Sequence, residues 1–201
     1  MRRSIALCLL LLALGCGSAH AAAPPEAVVQ DTSTRMLEAL RANRAAIERE
    51  PSRIYELVNR IVLPNFDFEL MSRWVLGRAW QQATPEQRGQ FTEEFRTLLV
   101  RTYAKALLEY SNEPIHPLPQ AGAPAGDEAT VKTEVRPKTG QPIQINYNMH
   151  RGGDAWKVYD VTVDGVSLVT SYRGTFADRI RASGMDAVIA DLRQRNARPA
   201  R

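Results

Sequence analysis

The spacing of apolar residues changes along the chain from helical to alternating and back again. From Glu26 to Glu50, Val29, Met36, Leu40 and Ile47 share one helical face, with Arg41, Arg44 and Glu48 off it. Pro51 suits a first helical turn and restarts the pattern as Ile54, Leu57, Val58 and Ile61, which Pro64 ends. Asp67 is placed to cap a third helix carrying Met71, Trp74 and Val75, and Gly77 to stop it. Thr84-Pro85-Glu86-Gln87 combines a capping Thr, a proline at the first helical position and a Gln three residues after the cap. The helix it opens runs to about Tyr110. Phe91, Phe95, Leu98, Leu99 and Ala106 lie on one side of it. Val100, Tyr103, Leu107 and Tyr110 widen the apolar arc to roughly 200° at about 100° per residue. A helix on a protein surface needs about half that arc, so this one must be covered on two sides.

Alternation follows. Glu113 to Asp127 is a loop rich in Pro, Gly and Ala, with a short edge strand expected at Pro114 to Leu118. Val131, Thr133 and Val135 alternate with Lys132, Glu134 and Arg136, and Pro137-Lys138-Thr139-Gly140 turns the chain. Ile143, Ile145, Tyr147 and Met149 alternate with Gln144, Asn146, Asn148 and His150, the clearest strand signal present. Gly152-Gly153-Asp154 makes the next turn and leads into Trp156 to Val163. The stretch Trp156 to Phe176 then passes from strand to helix through Asp164-Gly165, with apolar residues in both phases. Tyr172 to Ser183 is predicted helical, with Gly184 as its stop. A last helix carries Val188, Ile189 and Leu192. The fold class is α+β: N-terminal helices on a curved antiparallel meander of about four strands, then C-terminal helices, around an apolar cavity.

The 201 residues suit one domain, and a hydrophobic fraction of 44% with 24% charged residues is ordinary for a globular chain. The first residues stand apart. Arg2 and Arg3, the apolar run Ile5 to Leu14 and Ala19-His20-Ala21 have the pattern of a secretory leader cleaved after Ala21. That leaves a single domain over residues 22–201, with tails 22–25 and 196–201 expected to be disordered. The leader run is too short to span a bilayer and no later run is long enough. Cys16 raises the alternative of a lipid anchor, but Ala13 stands where a lipobox prefers Leu, so soluble export is favoured. Cys8 and Cys16 both lie in the leader, so the mature chain offers no disulfide or thiolate site. Export without disulfides points to a bacterial periplasm. Without Arg2 and Arg3 the formal charge falls from +4 to +2, and the basic residues are scattered. A nucleic-acid partner is therefore not expected.

Reactive constellations are sparse. His116 sits among prolines and His150 beside a turn, neither with a second ligand at metal spacing, so no metal or cofactor is expected. No nucleophile elbow, phosphate loop or dinucleotide fingerprint is present. Asp160 and Asp164 are four apart on a strand and could form a carboxylate pair. A solvated face plus a turn aspartate is the favoured reading. An apolar cavity with Asp160 near Tyr147 or Tyr159 leaves an enzyme acting on a hydrophobic substrate as the alternative. The excess of apolar residues instead suggests a pocket for a ligand with an apolar body. Its candidate lining is Trp74, Phe95, Leu99, Tyr103, Ile143, Ile145, Tyr147, Met149, Val161, Val163 and Val166.

Several linked blocks carry a resemblance. They are Val62-Leu63-Pro64, Phe66-Asp67-Phe68, Met71-Ser72-Arg73, Val75-Leu76-Gly77, Trp80 and Ala83 to Arg88, followed by Trp156 to Val161, Val163 to Leu168 and Tyr172-Arg173. Together the chain resembles the MlaC, or toluene-tolerance auxiliary, family from about Thr34 to Arg195. The resemblance implies a fold similar to the nuclear-transport-factor-2 class (NTF2-like) and a non-enzymatic periplasmic phospholipid carrier. It implies as partners an outer-membrane lipoprotein–porin complex and an inner-membrane ABC-transporter complex. Acyl tails would lie between helices and sheet, with head groups near the mouth, and the role would be to maintain outer-membrane lipid asymmetry.

Overall fold

The computed structural model describes residues 23–109, 113–120 and 126–198. The expected leader, Cys8 and Cys16 with it, lies outside the described residues. Six helices come first: α1 (Pro25–Ala42), α2 (Arg44–Arg49), α3 (Arg53–Ile61), α4 (Phe68–Leu76), α5 (Arg78–Gln82) and α6 (Pro85–Glu109). Five strands follow: β1 (Ile115–Pro117), β2 (Glu128–Val135), β3 (Ile143–Gly152), β4 (Ala155–Val163) and β5 (Val166–Ser167). The chain then forms α7 (Leu168–Ser183) and α8 (Met185–Asn196). The strands pair in sequence order, all antiparallel, as a curved meander.

Local chemistry sets most boundaries. The first expected helix is two, because it breaks at Asn43, whose side-chain amide donates to the Ala39 carbonyl at 2.8 Å. Such a side chain competes with the helical ladder. Asp67 caps α4 by accepting from the Leu70 amide at 2.8 Å. Gly77 ends it at φ 54°, a conformation that favours glycine. At α6 the box closes in both directions: the Thr84 amide donates to the Gln87 side chain at 3.0 Å, and the Gln87 amide to the Thr84 hydroxyl at 3.2 Å. The ends of the expected tails are partly structured, since Pro25 opens α1 and the Asn196 amide donates to the Glu94 carbonyl at 2.9 Å.

Two features differ from the sequence expectation. The meander has a fifth strand, because Asp164 (φ 47°) and Gly165 (φ 83°) form a two-residue hairpin turn that pairs Val163 with Val166. Helix α7 accordingly begins at Leu168, before Tyr172, with the Ser167 hydroxyl accepting from the Thr170 amide at 3.0 Å. The other feature is a bulge. Asn148 pairs with Asp160 but Met149 with Val158, which leaves Tyr159 as an extra residue in β4. The bulge reverses the phase of the strand. Trp156 and Val158 before it, and Val161 after it, therefore join one cluster with Val131 and Met149. This explains apolar residues in both phases of one strand.

Apolar side chains gather in three clusters. One is aromatic and solid: Phe91, Phe95 and Phe176 are fully buried with Met71 and Leu192 between α4, α6, α7 and α8. The second joins α1, α2, α3 and the later part of α6 through Leu40, Ile47, Val58, Val100 and Ala104. The third lies on the sheet. Helix α6 touches both helical clusters, which accounts for its wide apolar arc.

Candidate functional site

A cavity of about 580 Å³ lies between the sheet, α1, α3, α4 and the C-terminal half of α6. Its size is within the roughly 300–1,000 Å³ typical of small-molecule pockets. The sheet contributes Ile115, Val135, Ile143, Ile145, Tyr147, Val158, Val161 and Val163, and Val166 and Leu168 continue the wall past the hairpin. Helix α6 contributes Leu99, Val100, Tyr103, Ala104, Ala106 and Leu107. Met36, Leu40, Val58 and Met71 close the other sides, with Phe66 and Phe68 stacked at 5.7 Å. The exposed lining residues Tyr103, Ala106, Val166 and Ser171 mark the open end.

The structure brings together Leu99, Tyr103, Ile143, Ile145, Tyr147, Val161, Val163 and Val166 of the expected lining. Trp74, Phe95 and Met149 do not line the cavity. Trp74 is 51% exposed on the outside of α4, because Met71 and Val75 take the buried face. Phe95 is inside the aromatic cluster, with its ring 5.3 Å from Tyr172 and 5.9 Å from Phe176. Met149 points to the same side as Ile145 and Tyr147 but is fully buried in the cluster of Trp156 and Val29 and is absent from the cavity lining. The walls from α1 and α3 are absent from the expected lining, because their stripes are indistinguishable from ordinary core. Val62-Leu63 before Pro64 was the available signal, an apolar pair continuing past the helix end.

Polar chemistry in the cavity is weak. Glu113 is the sole charged residue among the described residues that line it. Burial pushes the Tyr147 phenol up to about 12, while a hydrogen bond with Thr133 pulls the other way. Its exposure is to the hollow rather than to bulk water. Tyr103 is also pushed up to about 12, by burial first and then by the neighbouring Tyr172. Both phenols are neutral at physiological pH. A wall of aliphatic side chains and neutral phenols suits hydrocarbon.

Asp160 serves the fold. It is buried, is absent from the cavity lining, and accepts from the Ser167 hydroxyl at 2.7 Å and the Val169 amide at 3.1 Å. The Asn148 side chain adds a longer contact at 3.5 Å. These donors fix the start of α7, so the expected solvated face is not observed at Asp160. Asp164 is a turn aspartate as expected, accepting from the Gln144 amide at 2.9 Å. His150 reaches the capping residue Asp67 at 2.9 Å and thereby ties β3 to α4.

The family model for the MlaC protein matches residues 30–194. The chain belongs to the MlaC family. Among relatives in that family, the toluene tolerance protein Ttg2D of Pseudomonas putida is 35% identical over 167 residues, covering 83% of this chain and 77% of that protein. The intermembrane phospholipid transport system binding protein MlaC of Haemophilus influenzae is 25% identical over 185 residues, covering 90% of this chain and 86% of that one. A solved structure of the phospholipid-binding protein from Ralstonia solanacearum, in complex with a phospholipid, superposes with a TM-score of 0.80 at 30% identity. The superposition covers 87% of this chain and 98% of that one. The MlaC fold thus accounts for the α+β architecture and its curved sheet.

Proposed function

We propose that this chain is a periplasmic phospholipid carrier that holds acyl chains in the cavity between α1, α3, α6 and the sheet. The observation that carries the reading is the cavity itself: about 580 Å³, walled by aliphatic side chains, with one carboxylate and no lysine or arginine among its described lining residues. Each methylene buried there gains about 0.8 kcal/mol. Unassisted escape of a two-chain lipid into water is therefore slow, and release requires a partner that opens the wall. The phospholipid bound to the structural relative and the transport role in the name of the Haemophilus protein support the same reading.

Further elements of the proposal are an exported mature chain, cleaved after Ala21. It shuttles lipid between an outer-membrane lipoprotein–porin complex and an inner-membrane ABC-transporter complex to maintain outer-membrane lipid asymmetry. Among the described residues no helix is long and apolar enough to cross a membrane, which is compatible with a shuttle. A role as an enzyme through Asp160 has less support, because the donors at the start of α7 already occupy that carboxylate. Native mass spectrometry of the chain purified without detergent tests the proposal. Phospholipid at a fixed ratio to protein is expected, and protein recovered without any lipid would count against it.

A further inference from the structure

A second void lies beside the cavity. It is a groove of about 290 Å³ whose floor includes Leu40, Ile47 and Leu108 and whose rim carries Arg41, Arg44 and Glu48. Leu40 also lines the main cavity. On α6, Leu107 faces the cavity and its neighbour Leu108 the groove. Leu40 is only 4% exposed, so the side chain standing between the two spaces is held by packing and not by solvent. The rim is suited to cover hydrocarbon. Arg44 pairs with Glu48 at 3.3 Å, and arginine stems can lie along apolar surface while their charged heads stay in water.

We propose that Leu40 is the residue that limits the acyl volume this carrier accepts, and that the groove behind it is a subsite that longer chains can enter once Leu40 is withdrawn. The proposal rests on the carrier reading. With Leu40 in place the two voids are separate, and lipids whose chains overfill the cavity are disfavoured. Shortening Leu40 removes the partition from the α1 side. Each extra methylene that then finds cover raises affinity about fourfold, the equivalent of about 0.8 kcal/mol per buried CH₂. Leu108 lines the groove and not the cavity, so a bulky residue there fills the subsite without entering the cavity.

The test offers the purified full chain vesicles holding equal amounts of dimyristoyl, dipalmitoyl and distearoyl phosphatidylglycerol, and reads the bound species by native mass spectrometry. Leu40→Ala is expected to shift the bound population towards the distearoyl lipid at least fourfold relative to the unsubstituted chain. Leu108→Trp alone is expected to leave the profile unchanged, and Leu40→Ala combined with Leu108→Trp to restore it. A folded Leu40→Ala protein with an unchanged profile overturns the proposal. So does a Leu108→Trp protein that by itself loses the longer lipid, because the chains would then already occupy the groove. If Leu40→Ala does not fold, Leu40→Val is read in the same way, with a smaller shift towards the distearoyl lipid expected and no shift contradicting the proposal. Failure of the unsubstituted chain to load any of the three lipids would instead overturn the carrier reading.

Discussion

Helix α6 runs through two environments built from similar residues. In its N-terminal half, Phe91 and Phe95 stack at 5.7 Å, and Phe176 meets Phe91 edge-on at 5.1 Å. Both rings are fully buried there, as is Phe176. In its C-terminal half, Leu99, Tyr103 and Leu107 face a hollow. The difference is one of shape and support. Flat rings from α6 and α7 meet face and edge in the first region. In the second, aliphatic side chains on a curved sheet and on α1 and α3 stand back from one another. Hydrophobicity is common to both regions, and emptiness is a property of the backbone frame that holds the side chains apart.

The solid region should respond to truncation. Phe95→Ala is expected to destabilise the fold by about 3–5 kcal/mol, because it removes a fully buried ring and leaves a void. Denaturant unfolding checks this, and lipid load per folded molecule should stay close to normal. A loss of load without a loss of stability would move Phe95 into the site. Asp160→Asn should have the next largest effect, about 1–3 kcal/mol, because an amide cannot replace every acceptor used by Ser167 and Val169. Its lipid load should be retained. A folded variant that lost a chemical turnover would revive the enzyme reading.

Much of the fold is legible in the sequence because its signals are local. Thr84 and Gln87 name their own hydrogen bonds, Gly77 marks a stop, and the alternation from Ile143 to Met149 fixes one face of β3. The cavity was less legible. Periodicity gives the face on which a residue sits but not how far along the element the hollow extends, so Met149 and Phe95 carry the same signal as the residues that line it. Trp74 failed for another reason: a short helix with apolar residues at three nearby positions leaves its rotation open. The bulge at Tyr159 was written in the strand as a change of apolar phase between Val158 and Val161. Its partner register could not be known before β3 and β4 were paired.

Alkaline titration adds a smaller and pH-dependent contrast. Tyr147 is raised from 10.0 to about 12 by burial against the cavity. A phenol whose folded value exceeds its unfolded value contributes stability that is complete below about pH 10 and is lost as pH rises through about 12. Ultraviolet titration of phenolate absorbance should therefore show late-ionising tyrosines, Tyr103 among them, with one fewer in Tyr147→Phe. The same substitution should flatten the alkaline fall in stability. A Tyr147 that ionised near 10 would mean that bulk water reaches the cavity wall.

The smallest expected effect on stability is also the most direct test of the hollow. Ile145→Trp places an indole in the cavity space lined by Ile145, Tyr147 and Val161. In a filled core such overpacking costs about 1–3 kcal/mol. Here the unfolding free energy of the lipid-free protein should change by less than about 1 kcal/mol, because the ring enters existing space. Native mass spectrometry of the folded variant, purified beside the unsubstituted chain, should find most of its phospholipid gone. A folded Ile145→Trp protein carrying the normal phospholipid load would contradict the claim that acyl chains occupy this cavity.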